Sequence, residues 1–211
     1  MTGQMTRRTA TFTIIAAGGF ALLAASMAVA QAPTPVRVRG TIDSLNGQTL
    51  AVKSRDGATL DIKVADNTPV RAVVKASLAD IKPNTFVGCT SMPQPDGSQK
   101  AVEIHIFPEA MRGTGEGSRP WDLAPNTSMT NGAVDSQVVV SDGQKLVLKY
   151  KDGDKTVIVT PDTAIVTYAP ATLAADAKPG TKVFVIATKQ PDGTLNAGSI
   201  TVGRDGVNPP M

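Results

Sequence analysis

The feature that most constrains this chain is an internal repeat. Shifting the sequence by 96 residues lays Asn46 to Phe107 on Asp142 to Gly203 without a gap. Asp56-Gly57 falls on Asp152-Gly153, Asp66 on Asp162, Lys82-Pro83 on Lys178-Pro179, and Pro95-Asp96-Gly97 on Pro191-Asp192-Gly193. Ile62, Val70, Val87 and Ile104 meet Ile158, Val166, Val183 and Ile200, and about 20 of the 62 aligned positions are identical. Gly40 aligns with Gly132 once four residues, Gln137 to Val140, are treated as an insertion in the second copy. The repeat divides the chain into a first copy at 36–107, an interdomain loop rich in Gly and Pro at 108–131, a second copy at 132–203 and a tail at 204–211.

Each copy reads as short strands separated by turns. In the first, the runs are Val36 to Asp43, Thr49 to Lys53, Ala58 to Val64, Val70 to Lys75, Thr85 to Ser91 and Lys100 to Phe107. Asn46-Gly47, Asp56-Gly57 and Asp96-Gly97 are hairpin dipeptides, because Gly reaches positive φ without a Cβ clash. Alternation in Leu60-Asp61-Ile62-Lys63-Val64 puts three apolar side chains on one face. Ser77 to Ile81 and Leu173 to Ala177 read as single helical turns, stopped by Pro83 and Pro179. An open sheet of such strands would expose two edges and an apolar face, whereas closure removes the edges. The expected fold is therefore all-β, two tandem six-stranded small Greek-key barrels of the OB-like kind. Each would be marginal alone, so the copies are expected to pack together or be held close by the linker.

The run Ser77-Leu78-Ala79-Asp80-Ile81-Lys82-Pro83, with Val87, Pro95-Asp96-Gly97 and Ala101 to Ile104, resembles a repeat domain of unknown function found in secreted bacterial proteins. Lys178-Pro179-Gly180-Thr181-Lys182-Val183 and Asp192-Gly193-Thr194-Leu195-Asn196-Ala197 with Ile200 carry the same resemblance in the second copy. It implies a small barrel similar to the oligonucleotide/oligosaccharide-binding type and brings no catalytic residues with it.

The first thirty residues read as an address. Arg7 and Arg8 precede an apolar run from Phe12 to Ala30 that ends in Ala28-Val29-Ala30, the pattern of a secretory signal peptide cleaved after Ala30. The expected location is the bacterial periplasm or the exterior. The arginine pair also raises twin-arginine export, although Phe12 stands far behind it. Residues 1–30 carry two positive charges and no negative ones, so the formal net charge of +3 falls to +1 on cleavage. A near-neutral chain with 4% aromatic residues gives neither an electrostatic funnel nor a stacking platform for nucleic acid. After the address no apolar stretch is long enough to span a membrane. One Cys and one His rule out an intramolecular disulfide framework, a Cys-rich zinc site and His-pair metal motifs.

The scarce residues collect in the first copy and the loop behind it. That loop holds the only Trp, and its partner or ligand surface is expected at Glu109, Arg112, Glu116, Arg119 and Trp121, with Trp121 docked on a barrel. The partner through 108–122 is a protein or a small ligand. Gly113-Thr114-Gly115-Glu116-Gly117 lacks the GK[ST] ending of a phosphate loop. In Glu103-Ile104-His105-Ile106-Phe107, alternation puts Glu103, His105 and Phe107 on one face. His105 reads as a surface or loop-anchoring residue. Cys89 aligns with Val185 and reads as a buried hydrophobe, while the alternative is a metal site of His105, Glu103 and Cys89 with Met92 or Met111 as thioether. No G-x-S-x-G is present, and Ser91 or Ser118 with His105 has no orienting motif. The expected function is an exported, non-enzymatic binding or scaffold protein without a cofactor; the alternative is a periplasmic metal-binding protein. Oligomeric state is not legible.

Overall fold

A computed structural model describes residues 35–141 and 143–210, together with Thr2. The predicted signal segment at 1–30 lies outside the described residues. The described residues from Pro35 onward belong to one compact unit, built of strands with three short helical turns among them.

The first copy supplies β1 (Pro35–Asn46), β2 (Thr49–Ser54), β3 (Thr59–Lys63), β4 (Val70–Lys75), β5 (Phe86–Pro93) and β6 (Gln99–Ile106). The short β7 (Gly117–Pro120) lies in the loop between copies. The second copy supplies β8 (Ser128–Val140), β9 (Gly143–Tyr150), β10 (Gly153–Val159), β11 (Ala164–Pro170), β12 (Lys182–Lys189) and β13 (Leu195–Gly203). A 3-10 turn at Leu78–Asp80 and α1 (Leu173–Asp176) stand where helical turns were expected, and another 3-10 turn covers Glu109–Met111. Ser77 and Thr172 open the first two, and in each an Asp in the turn accepts the backbone N–H of the opening residue.

The strands join in one sheet, and the pairing closes twice. β1, β2, β3, β13 and β12 form one ring, in which β3 and β13 run parallel and β12 and β1 antiparallel. β8, β9, β10, β6 and β5 form the other with the same order. Neither ring is made by one copy. The three-stranded meander of each copy closes with the terminal hairpin of the other, so the chain exchanges halves with itself. The cores follow the rings: Val38, Leu50, Val52 and Ile62 pack with Val183, Val185, Ile200 and Val202. Val87, Cys89, Ala101 and Ile104 pack with Val134, Leu146, Leu148 and Val157.

The strands left over make the bridge. β4 leaves the first ring beside β13, pairs antiparallel with β11, and β11 lies beside β6 of the second ring. This carries the chain across the molecule, and the 3-10 turn at Leu78–Asp80 then hands it to β5.

The pairings also correct the gapless alignment. Lys53 lies opposite Thr59, whereas its counterpart Lys149 lies opposite Asp154, so the β9–β10 turn is one residue shorter. The residue is regained in α1, which has four residues against three in the first copy's turn. Between those points the true offset is 95. Ile62 and Val64 therefore correspond to the buried Val157 and Val159, and Val70 corresponds to Ile165 rather than Val166. The expected insertion at Gln137 to Val140 lengthens the β8–β9 hairpin by two residue pairs relative to β1–β2. Gly40 and Gly132 are equivalent in space, since a Cβ on either would lie 2.2 Å from the Lys53 carbonyl oxygen or 2.4 Å from that of Lys149. With the offset corrected, Val73 pairs directly with its own counterpart, Tyr168. A pseudo-two-fold axis therefore passes through the β4–β11 bridge.

Because the β4–β11 bridge joins both rings in one sheet, they are expected to unfold together. Scanning calorimetry of the chain from residue 31 is expected to show one two-state transition, with calorimetric and van't Hoff enthalpies equal. Two resolved transitions would contradict that coupling.

Candidate functional site

The bridge leaves one face of the sheet outside both rings. Across it, from β8 to β1, lie Met129 and Asn131, Gly88 and Thr90, Glu103, His105 and Phe107, Val166 and Tyr168, Arg71 and Val73, Ser199 and Thr201, Phe184 and Ile186, and Arg37 and Arg39, in ladder register. Strand alternation selects these residues, since their sequence neighbours Cys89, Ile104, Ala72, Val185 and Ile200 fill the ring cores.

The loop between the copies is a strap over this face. It leaves β6 at Phe107, forms β7 against β8, and reaches the β1 side at Asp122. There Arg39 donates to Asp122 Oδ1 at 2.8 Å, and Arg37 lies 3.5 Å from Oδ2. Burial pushes the Asp122 carboxyl up, but the Arg39 hydrogen bond and the charges of Arg39 and Arg37 outweigh it and hold the group below the ordinary carboxylate value. Trp121 sits beside that anchor. The Arg37 guanidinium lies 4.2 Å from its ring centre and that of Arg119 5.5 Å. It packs on the cluster of Val73, Val166 and Phe184 at the pseudo-two-fold axis, against which Tyr168 also packs. Trp121 is thus docked, as its sequence context led one to expect.

The other loop residues act as local fasteners. Glu109 and Arg112 form an exposed pair, and Arg112 also donates to the Asn84 carbonyl at 2.8 Å. Glu116 accepts the Lys151 backbone N–H at 2.9 Å. Arg119 donates to the Gly115 carbonyl and turns towards the cleft below the strap.

That cleft has a volume of about 200 Å³ and is lined by residues of both copies and the strap, among them Arg71, His105, Arg119, Trp121, Asn131 and Tyr168. His105, read from the sequence as a surface or loop-anchoring residue, is buried: alternation reveals its face, while the strap and the bridge that cover that face lie far off in sequence. Its Nδ1 lies 3.3 Å from both oxygens of the wholly buried Glu103. Thr90 Oγ1 donates to Glu103 Oε1 at 2.7 Å. The imidazole edge packs on Phe107 and Tyr168, with centroids 4.7 and 5.9 Å away. Its other side lies over Gly88, where a Cβ would come within 2.1 Å of Nε2. Burial, and secondarily the Glu103 charge, raise the Tyr168 phenol well above its usual range.

Cys89 does not join this group. It pairs with Ile104 and faces the ring core, while Gly88 and Thr90 on either side face His105 and Glu103. Burial and then the Glu103 charge raise its thiol, so it is a thiol and not a thiolate. Among the described residues no three His, Cys, Asp or Glu side chains stand together in a way that could hold a metal ion. Of the two thioethers considered, Met111 lines the cleft and Met92 lies elsewhere.

Sequence reasoning missed Arg71, Asn131, Tyr168, Phe184 and Thr201. The signal lay in how the copies differ. Gly88 with His105 occupies the place of Phe184 with Thr201, Val73 that of Tyr168, and Asn131 that of Arg39. The ring cores keep apolar residues at equivalent positions, and this face does not. Comparison with known proteins gives no match, whether with protein-family models, curated proteins or solved structures.

Two outcomes follow from these contacts. Gly88→Ala must displace His105, and is expected to lower stability by about 1–3 kcal/mol in urea unfolding, the usual cost of overpacking. The Asp122 anchor is in place above the ordinary carboxylate value and is lost as pH falls through its lower folded value. Protease cleavage within 108–127 is therefore expected to rise steeply below about pH 4. Asp122→Asn is expected to show that sensitivity already at neutral pH.

Proposed function

We propose that this chain is an exported, non-enzymatic binding or scaffold protein of the bacterial periplasm, whose two rings are OB-like barrels. The order in each ring, with a three-stranded meander closed by a hairpin through one parallel and one antiparallel contact, supports the barrel reading. The sequence of residues 1–30 supports export. Among the described residues no helix is long and apolar enough to cross a membrane.

One observation carries the binding role. The segment from Pro108 to Thr127 has no counterpart in the second copy, yet it is fastened by Asp122 and Trp121 over the face where the copies differ. A spacer needs neither the anchor nor the cleft. Long excursions held on a rigid scaffold are where binding residues concentrate.

Intact-mass measurement on the periplasmic fraction is expected to give a chain beginning at Gln31, and a species retaining residues 1–30 would contradict export with cleavage. Trp121→Ala is expected to keep the far-UV spectrum and cooperative melting while losing the molecules that co-purify with the wild-type protein from periplasm. Unfolding of that variant would make the strap a structural element only.

A further inference from the structure

The cleft under the strap is charged in one sense. Arg71 and Arg119 line it, and neither has a carboxylate partner among the described residues. Arg37 and Arg39 stand at its edge and share Asp122. Glu103 lies behind His105 and is occupied by Thr90 and His105. Burial, reinforced by the neighbouring charge of Arg37, depresses the Arg119 guanidinium, the mark of a cation short of negative charge.

Two polar atoms at the same place are also unsatisfied. Asn131 is nine-tenths buried or more and donates its Nδ2 to the Thr114 carbonyl at 2.9 Å, while its buried Oδ1 accepts nothing among the described residues. The Trp121 Nε1, also buried, donates to nothing among the described residues. Leaving such buried groups unpaired is costly. Around them the walls are flat and apolar: Trp121, Tyr168, Phe107 and Phe184. Two guanidinium groups without a carboxylate partner and aromatic walls form a complementary set. At about 30 Å³ for a water-sized group, 200 Å³ holds a molecule of roughly amino-acid or single-ring size.

We propose that the cleft binds a small planar carboxylate, one that places its anion on Arg71 and Arg119 and its flat body between Trp121 and Tyr168. Arginine suits the anion because its planar fork meets a carboxylate with two parallel hydrogen bonds. The His105–Glu103–Thr90 chain holds one wall in place. This inference deepens the binding-module reading and rests on it.

The single Trp in the chain stands in the cleft and reports on it directly. The protein from residue 31 is titrated with benzoate, 4-hydroxybenzoate and phenylacetate while Trp121 fluorescence is followed. At least one is expected to saturate with a Kd below about 1 mM, as a ligand of some ten heavy atoms can reach. The matching amide, which keeps the ring without the charge, and acetate, which keeps the charge without the ring, are expected to bind at least tenfold more weakly. Arg71→Gln and Arg119→Gln are each expected to weaken the carboxylate at least tenfold with unchanged circular dichroism. Should Arg71→Gln fail to fold, Arg119→Gln carries the test, since it lies on the strap outside both ring cores. No saturable change with any of the three, equal binding of the amide, or undiminished binding by a folded variant would overturn the proposal. If carboxylates fail while Trp121-dependent co-purification persists, the ligand class falls alone; if both fail, the binding role falls with it.

Discussion

The antiparallel pairing of β4 with β11, from Arg71 opposite Pro170 to Lys75 opposite Val166, is the contact on which the rest of the molecule depends. Each of these strands leaves the ring in which its copy began and lies beside a strand of the other copy's hairpin. The bridge passes the chain from one ring to the other, twice, in equivalent ways. A strand with both neighbours in place has no exposed edge, so the bridge seals the outer flanks of β6 and β13 as well as joining the rings. The exchange keeps the contacts that two separate barrels would have made, since hairpin and meander meet in the same register whichever copy supplies them.

From that bridge the cleft follows. A pseudo-two-fold axis through Val73 and Tyr168 brings equivalent faces of both copies side by side, and on each the residues that point away from the ring core meet at the seam. Two identical copies would give a symmetric surface with no reason to be covered. Here one half carries Gly88, His105 and Phe107 and the other carries Phe184 and Thr201, with the small residue of one strand making room for the ring beside it. The strap then closes over the seam and contributes Trp121 and Arg119. A wholly buried carboxylate such as Glu103 is costly unless satisfied, and it is satisfied by Thr90 and His105, residues of the same sheet face.

Strand positions, the two helical turns, the four-residue insertion and the core role of Cys89 were legible in the sequence, because turn residues and alternation are local signals. The exchange was not. Val87 with Val183 and Ile104 with Ile200 are interchangeable partners, so a repeat pattern serves separate and exchanged rings equally well. The compensating one-residue changes in the β9–β10 turn and in α1 were hidden for a related reason. They cancel, and Ile158 and Val166 offered plausible apolar matches although Val157 and Ile165 hold the equivalent places. His105 was assigned to the correct face and the wrong environment, because alternation along β6 says which residues share a side and nothing of what lies over it. Arg71 drew no notice as one basic residue on a short strand, and only the bridge sets it opposite Thr201 and into the cleft.

The central claim is that the copies exchange their hairpins, and pairing between β1 and β12 tests it most directly. Thr41 lies opposite Lys182 in this register, whereas in unexchanged barrels it would lie opposite Phe86, the first-copy equivalent of Lys182. Thr41→Cys with Lys182→Cys is expected to form a disulfide in the monomeric fraction on mild oxidation, read as the loss of two hydrogens and located by peptide mapping. Thr41→Cys with Phe86→Cys is expected to remain reduced. A disulfide in the second pair and none in the first would contradict the exchange, and with it the origin of the cleft.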